Sequence, residues 1–216
     1  EIVETKENLK TIANELSEKR IASSKSFEKI VIKELNDLGM EKTRFRVAMS
    51  KSENSDGILE INGKKYDIFK DGIDRIIFLI SPNVGEELKP LTEIASGGEL
   101  SRIMLALKVI LGTGDKVGTL IFDEIDTGVG CNMGKAVGDK LKDVSEKHQV
   151  ICITHLPQIA GFADHHITVE KEVKNNKTIV NIEILDRNNR IKEIARMLGG
   201  ADKEIALKHA EELLKR

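Results

Sequence analysis

The first 38 residues carry apolar side chains at helical spacing and contain neither glycine nor proline. The apolar stripe comprises Ile2, Leu9, Ile12 and Leu16, and it resumes at Phe27, Ile30, Val31, Leu35 and Leu38. This spacing predicts one amphipathic helix that stops at Gly39. A plain surface helix and the returning arm of an antiparallel coiled coil both fit. The residues alone favour the surface helix, because the seam covers only about two heptads.

The pattern changes to strands over residues 43–82. Apolar and polar or small side chains alternate over residues 45–49, which is typical of a half-buried strand. Residues 75–80 form a continuous apolar run that ends before Pro82, so we expect a buried strand there. The polar, glycine-containing segment 52–72 between these strands predicts a loop or a short hairpin.

Helical and strand patterns alternate from Leu91 onward. The patterns predict helices over residues 100–111, 134–147, 192–198 and 202–214, and strands over 119–122, 150–154, 166–171 and 178–185. Asn175-Asn176 is expected to turn a hairpin, and Asp202 is expected to cap the last helix. Helices that alternate with short apolar strands indicate an α/β fold.

Composition narrows the class of protein. The chain has 216 residues, of which 40% are hydrophobic and 32% charged, with a net charge of −2. These values argue against disorder and against a uniformly basic protein that coats DNA. No apolar run approaches the roughly 20 residues of a membrane span, so no membrane association is expected. Two cysteines cannot form a disulfide framework, and the chain starts at Glu1 like a fragment or a processed product.

Two acids directly follow the strand predicted over residues 119–122. In open α/β sheets, ligands bind at the carboxyl ends of strands. Asp123 is therefore well placed to hold Mg²⁺, which keeps part of its water shell. Glu124 could orient or deprotonate an attacking water. A strand followed by a solvated turn explains the same two residues equally well.

A serine and two glycines open the helix predicted from Leu100. In Ser96-Gly97-Gly98-Glu99, the glycines would let backbone N–H groups approach an anion, and a helix N-terminus favours negative charge. Ser96 could instead be a simple helix cap. Two glycines weaken a helix start without a packing reward, which favours the anion-binding interpretation.

A histidine ends the second buried strand. His155 follows the strand predicted over residues 150–154. A lone histidine is usually structural. One that lies beside a strand ending in Asp123-Glu124 is a better candidate for a phosphate contact.

The order of these three segments resembles the C-terminal half of an ABC-type ATPase head. Ser96-Gly97-Gly98-Glu99 matches the signature loop, Leu120–Glu124 the Walker B strand, Asp126-Thr127-Gly128 the D-loop and His155 the switch histidine. The longer sequence segments around these motifs are similar to the bacterial RecN family of SMC-like DNA-repair proteins. That similarity is carried by residues 94–108, 122–128, 153–160 and 163–166.

The resemblance implies a fold class and a domain division. The expected fold is the α/β C-terminal lobe of an ABC/SMC-type ATPase head. It would have a mostly parallel sheet, added antiparallel strands and an N-terminal coiled-coil-like helix. Residues 1–39 would end the coiled-coil arm, and residues 40–216 would form the lobe.

The resemblance also implies a role for each matched residue. Asp123 would hold Mg²⁺, Glu124 would activate the hydrolytic water and His155 would contact the γ-phosphate of ATP. Ser96, Gly97, Gly98 and Glu99 would face the nucleotide on an opposite head, Asp126 would help to couple the two heads, and Arg102 would support the signature helix.

The implied partners are a missing N-terminal lobe of the same protein, a second head that forms a homodimer on ATP binding, and DNA through the full-length protein. The implied location is the bacterial cytoplasm, in association with the nucleoid.

Two other functions remain open, an ABC transporter nucleotide-binding domain and a non-enzymatic dimerisation module. The helical start of the chain argues against the first, and Asp123-Glu124 with Ser96–Gly98 argues against the second.

A false P-loop lies directly after the D-loop match. Gly130-Cys131-Asn132-Met133-Gly134-Lys135-Ala136 has its first glycine one residue too close, and Ala136 replaces the Ser or Thr that would bind Mg²⁺. This segment also departs from the Ser-Gly-Arg or similar sequence that the resemblance leads one to expect. We predict a helix start here. Without a P-loop, the chain alone is expected to be inactive as an ATPase.

Overall fold

The computed structural model describes residues 1–114, 116–174, 177–200 and 203–215. The chain forms two compact units, unit 1 over Glu1–Ala95 and unit 2 over Ser96–Arg216. The expected turn at Asn175-Asn176 and the expected cap at Asp202 lie outside the described residues.

Unit 1 begins with a long helix. Helix α1 spans Ile2–Asp37, which is 36 residues. It ends because Gly39 adopts the left-handed region with φ 77°, and the Met40 N–H then reaches back to the Leu35 carbonyl at 2.9 Å. Both the predicted helix and its glycine stop are confirmed.

Unit 1 contains two antiparallel sheets. In the larger sheet, β1 (Arg44–Lys51) pairs with β4 (Asp74–Ser81), which also pairs with β5 (Lys89–Pro90). In the smaller sheet, β2 (Leu59–Ile61) and β3 (Lys64–Tyr66) form a hairpin. The hairpin alternative for residues 52–72 is therefore confirmed.

Aromatic and polar contacts hold α1 on the larger sheet. The Phe27 ring lies 6.0 Å from the Phe45 ring and 5.8 Å from the Phe78 ring, between centroids. Buried Asp74 accepts a hydrogen bond of 2.7 Å from Ser17 Oγ and one of 3.2 Å from Arg20. These partners fix the position of α1 along its axis, because sliding the helix would leave the Asp74 carboxylate buried and unpaired.

The expected burial of β4 is wrong for its middle. Ile76, Ile77 and Phe78 are exposed, whereas Ile80 is buried. An apolar strand is fully buried only where packed layers cover both faces of its sheet. The described residues of unit 1 do not supply packed layers on both faces of the sheet at the middle of β4.

Unit 2 alternates helices with strands. Its helices are α2 (Gly97–Leu111), α3 (Cys131–Ser145), α4 (Pro157–Ala160), α5 (Arg187–Met197) and α6 (Glu204–Leu213). Its strands are β6 (Thr119–Phe122), β7 (Gln149–Cys152), β8 (Ile167–Lys174) and β9 (Lys177–Ile184). Strands β6 and β7 pair in parallel, and β8 and β9 form an antiparallel hairpin. The α/β fold class is confirmed, with the parallel part carried by a single pair among the described residues.

The parallel pair is less buried than its sequence suggests. Phe122 is buried, but Ile121 is 67% and Ile151 is 45% exposed, so the expectation of two fully buried strands is wrong. Apolar composition predicts a preference for burial, yet a packed layer must still cover the strand face.

No described helix is both long and apolar enough to cross a membrane.

Candidate functional site

Strands β6 and β7 deliver the candidate side chains to one edge of unit 2. Phe122 pairs with Cys152 at the last register position, and the Ile153 N–H continues the pairing to the Phe122 carbonyl at 2.9 Å. Asp123 and the pair Thr154-His155 therefore leave the sheet at the same edge. Asp123 is exposed, so its carboxylate is accessible to a ligand.

The loop that follows β6 turns back under this edge. Glu124 has φ 55°, the left-handed region that residues with a side chain rarely adopt. Its carbonyl accepts a hydrogen bond of 3.0 Å from the Thr127 N–H, which closes the turn. As a result, the Glu124 side chain is exposed at the edge while Ile125 and Asp126 are buried below it.

Asp126 is the centre of the hydrogen bonding at this edge. The residue is only 3% exposed. Its Oδ2 accepts from Thr154 Oγ1 at 2.5 Å and from the His155 N–H at 2.8 Å, and it lies 3.0 Å from His155 Nδ1. The carboxylate thus ties the loop after β6 to the chain that leaves β7.

Arg102 on α2 supports the same loop from the other side. Its buried guanidinium donates to the carbonyls of Ile125, at 3.2 Å, and Thr127, at 2.8 Å. Burial lowers the pKa of Arg102, because the charged form loses solvation. The resemblance assigned Arg102 to the support of its own helix, and its hydrogen bonds join that helix to the backbone on both sides of Asp126.

The two glycines at the start of α2 pack tightly on the loop. A Cβ atom at Gly98 would lie 2.8 Å from the Glu124 carbonyl oxygen and 2.9 Å from Thr127 Cβ. At Gly97 it would lie 2.7 Å from Glu124 Oε2. The premise that these glycines bring no packing reward is therefore wrong for Gly98, which makes room for the loop backbone; at Gly97 the neighbouring atom is the end of the flexible Glu124 side chain.

The start of α2 is capped and faces a carboxylate. Ser96 Oγ accepts a hydrogen bond of 3.4 Å from the Glu99 N–H, so the capping role of Ser96 is confirmed. Glu124 Oε2 lies next to Gly97 at the same helix end. A helix N-terminus stabilises negative charge, so this end already attracts an anionic group within unit 2.

Cys152 is the last residue of β7, and its thiol is expected to be unreactive near neutral pH. Burial, with smaller contributions from Asp126 and Asp123, raises the pKa of its thiol to about 12. The thiolate is the reactive form of cysteine. Cys152 is therefore a packing residue rather than a nucleophile.

The residues at the edge fit Mg²⁺ only in part. Among the described residues, no group of three or more His, Cys, Asp or Glu side chains could hold a metal ion. Mg²⁺ commonly binds through one or two carboxylates, with water and substrate phosphates completing its shell. The exposed carboxylate of Asp123 fits such a shared site, but not a site made by protein ligands alone.

The false P-loop is a helix start, as expected. Gly130 is the N-cap of α3, which begins at Cys131. Lys135 is exposed on this helix, and Gly134 packs against Gln158, with a hypothetical Cβ 3.0 Å from the Gln158 Cβ. Gly134 is therefore explained by helix packing, without a phosphate.

Two polar residues escaped the sequence analysis. Thr154 shares the Asp126 carboxylate with His155, and its Oγ1 also accepts the Leu156 N–H at 3.0 Å. Ser101 Oγ donates to the Asp123 carbonyl at 2.7 Å. Both lie beside residues that the motifs singled out, and this adjacency was the available signal.

Comparison with solved structures gives the class of fold. The chain is similar to the Smc head domain with a coiled coil and joint derived from Pyrococcus yayanosii. The TM-score is 0.51 at 19% identity, over 85% of this chain and 32% of that chain. The two therefore share the fold of an Smc head, and this likeness carries no more than the fold.

Comparison with curated proteins identifies the relatives. The chain is 41% identical to DNA repair protein RecN of Bacillus subtilis (strain 168), over 94% of this chain and 36% of that protein. It is 44% identical to DNA repair protein RecN of Treponema pallidum (strain Nichols), over 93% and 34%. No family model matches. The chain is thus similar to RecN over about a third of these relatives' length.

Proposed function

We propose that the chain is the C-terminal part of an ATP-hydrolysing, SMC-like head that acts in the recombinational repair of DNA double-strand breaks. One observation carries the proposal: Asp123, Glu124 and His155 emerge at one edge of a parallel strand pair, and the glycine-rich start of α2 packs against the same loop. The similarity to proteins named for DNA repair supports the biological setting.

Each exposed residue at the edge has a proposed role. Asp123 holds Mg²⁺, which when bound would neutralise charge on the phosphates of ATP. Glu124 orients and deprotonates the attacking water, since its carboxylate is exposed and lies beyond the strand end. His155 contacts the γ-phosphate through its exposed ring.

The start of α2 is proposed to complete a site on another head. Ser96, Gly97, Gly98 and Glu99 would face the nucleotide of a second copy, which makes the working unit a homodimer of heads. The helix end supports this role because its N–H groups and dipole favour anions. Glu124 Oε2 lies next to Gly97, so this carboxylate would have to move away from the helix end before a phosphate could bind there.

The chain is proposed to need the lobe that carries a P-loop. No stretch of its sequence has the P-loop spacing, so the phosphates of ATP would lack their main backbone cradle. We therefore expect very weak ATP binding and no turnover by the chain alone.

The proposal also divides the chain into domains. Residues 1–39 would be the end of a coiled-coil arm, and residues 40–216 would be the lobe. DNA would be engaged by the full-length protein in the bacterial cytoplasm, at the nucleoid.

The proposal is tested by Glu124→Gln in a longer protein that joins this chain to its P-loop lobe. ATP turnover with and without DNA should fall by about 10²–10⁴-fold, the usual contribution of a general base, while ATP binding persists. Glu146→Gln makes the same chemical change at an exposed helix end and should leave turnover unchanged. Wild-type turnover by Glu124→Gln would refute the role of Glu124. Turnover by the chain alone, abolished by Glu124→Gln, would refute the need for a second lobe.

A further inference from the structure

We infer that Asp126 is a positioning residue that holds the His155 ring in the tautomer with the proton on Nδ1. Its burial leaves the carboxylate no surface for a ligand or a second head. We therefore assign its effect on catalysis to His155, in place of a direct contact with another head. The consequence for catalysis rests on the proposed function, whereas the tautomer itself does not.

The argument begins with the proton inventory around Asp126 Oδ2. Two donors to this oxygen are unambiguous, the Thr154 hydroxyl at 2.5 Å and the His155 backbone N–H at 2.8 Å. The third neighbour is His155 Nδ1 at 3.0 Å. An ionised carboxylate only accepts hydrogen bonds, so Nδ1 binds it favourably only when Nδ1 carries a proton.

The surroundings leave Asp126 little freedom to move away. Arg102 donates to the carbonyls of Ile125 and Thr127, which flank Asp126 on both sides. The backbone N–H of His155 is bound to the same carboxylate oxygen as its ring. The histidine is thus held at two points, although 74% of its side chain is exposed.

The held tautomer decides what the exposed nitrogen can do. With Nδ1 protonated, a neutral ring has only a lone pair on Nε2, which accepts hydrogen bonds from water. To donate to a phosphate oxygen, Nε2 must bind a second proton. Nδ1 keeps its proton in the imidazolium as well, so Asp126 holds the ring in the same orientation when Nε2 is protonated. Asp126 would then support phosphate recognition without touching the phosphate.

The test is ¹⁵N NMR of the histidine side chains in the chain as it stands, at a pH where the rings are neutral. Wild-type His155 should show a protonated, pyrrole-type Nδ1 and an unprotonated Nε2. Asp126→Leu keeps a similar volume and removes the acceptor, and we expect the proton to shift to Nε2. Thr154→Val removes a different donor from the same oxygen and should leave the Nδ1–H tautomer in place.

The outcomes separate this inference from the proposed function. An unprotonated Nδ1 in the wild-type ring overturns the inference even if no variant folds, and leaves the roles of Asp123 and Glu124 untouched. A shift caused equally by Thr154→Val and Asp126→Leu also overturns it, because a general loosening would then explain both. In the longer protein, Asp126→Leu should lower ATP turnover and add no further loss to His155→Ala. Additive losses would refute action through His155.

Discussion

Gly98 packs so closely on Glu124 that a methyl group at position 98 would lie 2.8 Å from the Glu124 carbonyl oxygen. The contact joins the start of α2 to the backbone that directs the two acids. It means that the glycine is required by the folded loop, whether or not an anion ever binds there.

Gly98→Ala should therefore destabilise unit 2. The added methyl group meets backbone and the Thr127 Cβ, which cannot simply rotate away, and overpacking of this kind costs about 1–3 kcal/mol. Amide hydrogen exchange of β6 and β7 measures the change. Gly118→Ala is the control, since a Cβ there meets nothing within 4 Å and should change stability by less than about 0.5 kcal/mol. Equal effects at both glycines would contradict the packing argument.

Arg102→Met should loosen the loop around Asp126. The substitution keeps the aliphatic length but leaves the carbonyls of Ile125 and Thr127 without their charged donor, at a cost of about 2–4 kcal/mol in unit 2. Thermal unfolding followed by circular dichroism checks the loss. Lys135→Met removes an exposed charge from α3 and should be nearly neutral. If Lys135→Met weakened nucleotide binding by the longer protein, the false P-loop would have to be reconsidered.

Asp74→Ala should destabilise unit 1 more than Ser17→Ala does. Removing the buried carboxylate strands both Ser17 and Arg20, for a loss of about 2–4 kcal/mol, whereas removing the hydroxyl costs about 1 kcal/mol. Urea unfolding followed by tyrosine fluorescence reports on this unit, because the chain has one tyrosine, Tyr66, and no tryptophan. Glu18→Ala on the exposed side of α1 is the control. A larger loss for Ser17→Ala would contradict the assignment of Asp74 as the anchor.

Unit 2 should lose stability as the pH falls below about 6.5, in part through His166. Burial and nearby Arg190 lower the pKa of His166 from 6.5, and its Nδ1 is buried without a hydrogen-bond partner. The unfolded chain then binds the proton more tightly, so the stabilising contribution is complete above the unfolded pKa and is lost as the pH falls through the folded one. Nearby Glu193 offsets part of this shift. Melting temperatures over this range should fall less steeply for His166→Asn; equal slopes would refute the prediction.

Cys152 should resist alkylation in the native chain. Its thiol has a pKa of about 12, so almost no thiolate exists near neutral pH. Iodoacetamide labelling followed by mass spectrometry tests this in a Cys131→Ser background, where Cys152 is the remaining thiol. Labelling should become fast in urea. Equal rates in native and unfolded protein would show that Cys152 is not protected.

Local signals in the sequence were sufficient for the longer elements and for the edge of the site, but not for the short β5 and α4 or for the start of α5 at Arg187. Gly39 ended α1 because a helix stop depends on one residue's conformational freedom. Asp123 and His155 reached one edge because Asp123 directly follows β6, His155 comes shortly after the end of β7, and the two strands pair in parallel. These conclusions need only neighbouring residues and the geometry of a sheet.

The sequence could not predict which faces are covered or how the loops close. Ile121 and Ile151 are as apolar as core residues, but nothing in their own segments says whether another layer packs on them. The bond from the His155 N–H to Asp126 joins positions 29 residues apart. It depends on the turn that buries Asp126, and no residue type alone reports that turn.

The left-handed backbone of Glu124 places the stability of the fold in conflict with the proposed role of the carboxylate at this position. A non-glycine residue in a sparsely populated backbone region costs of order 1–3 kcal/mol. Glycine would relieve that strain, yet it would also remove the carboxylate. Under the proposed function, stabilising substitutions at position 124 should therefore be found among variants screened for thermal tolerance and lost from those of the longer protein screened for ATP turnover.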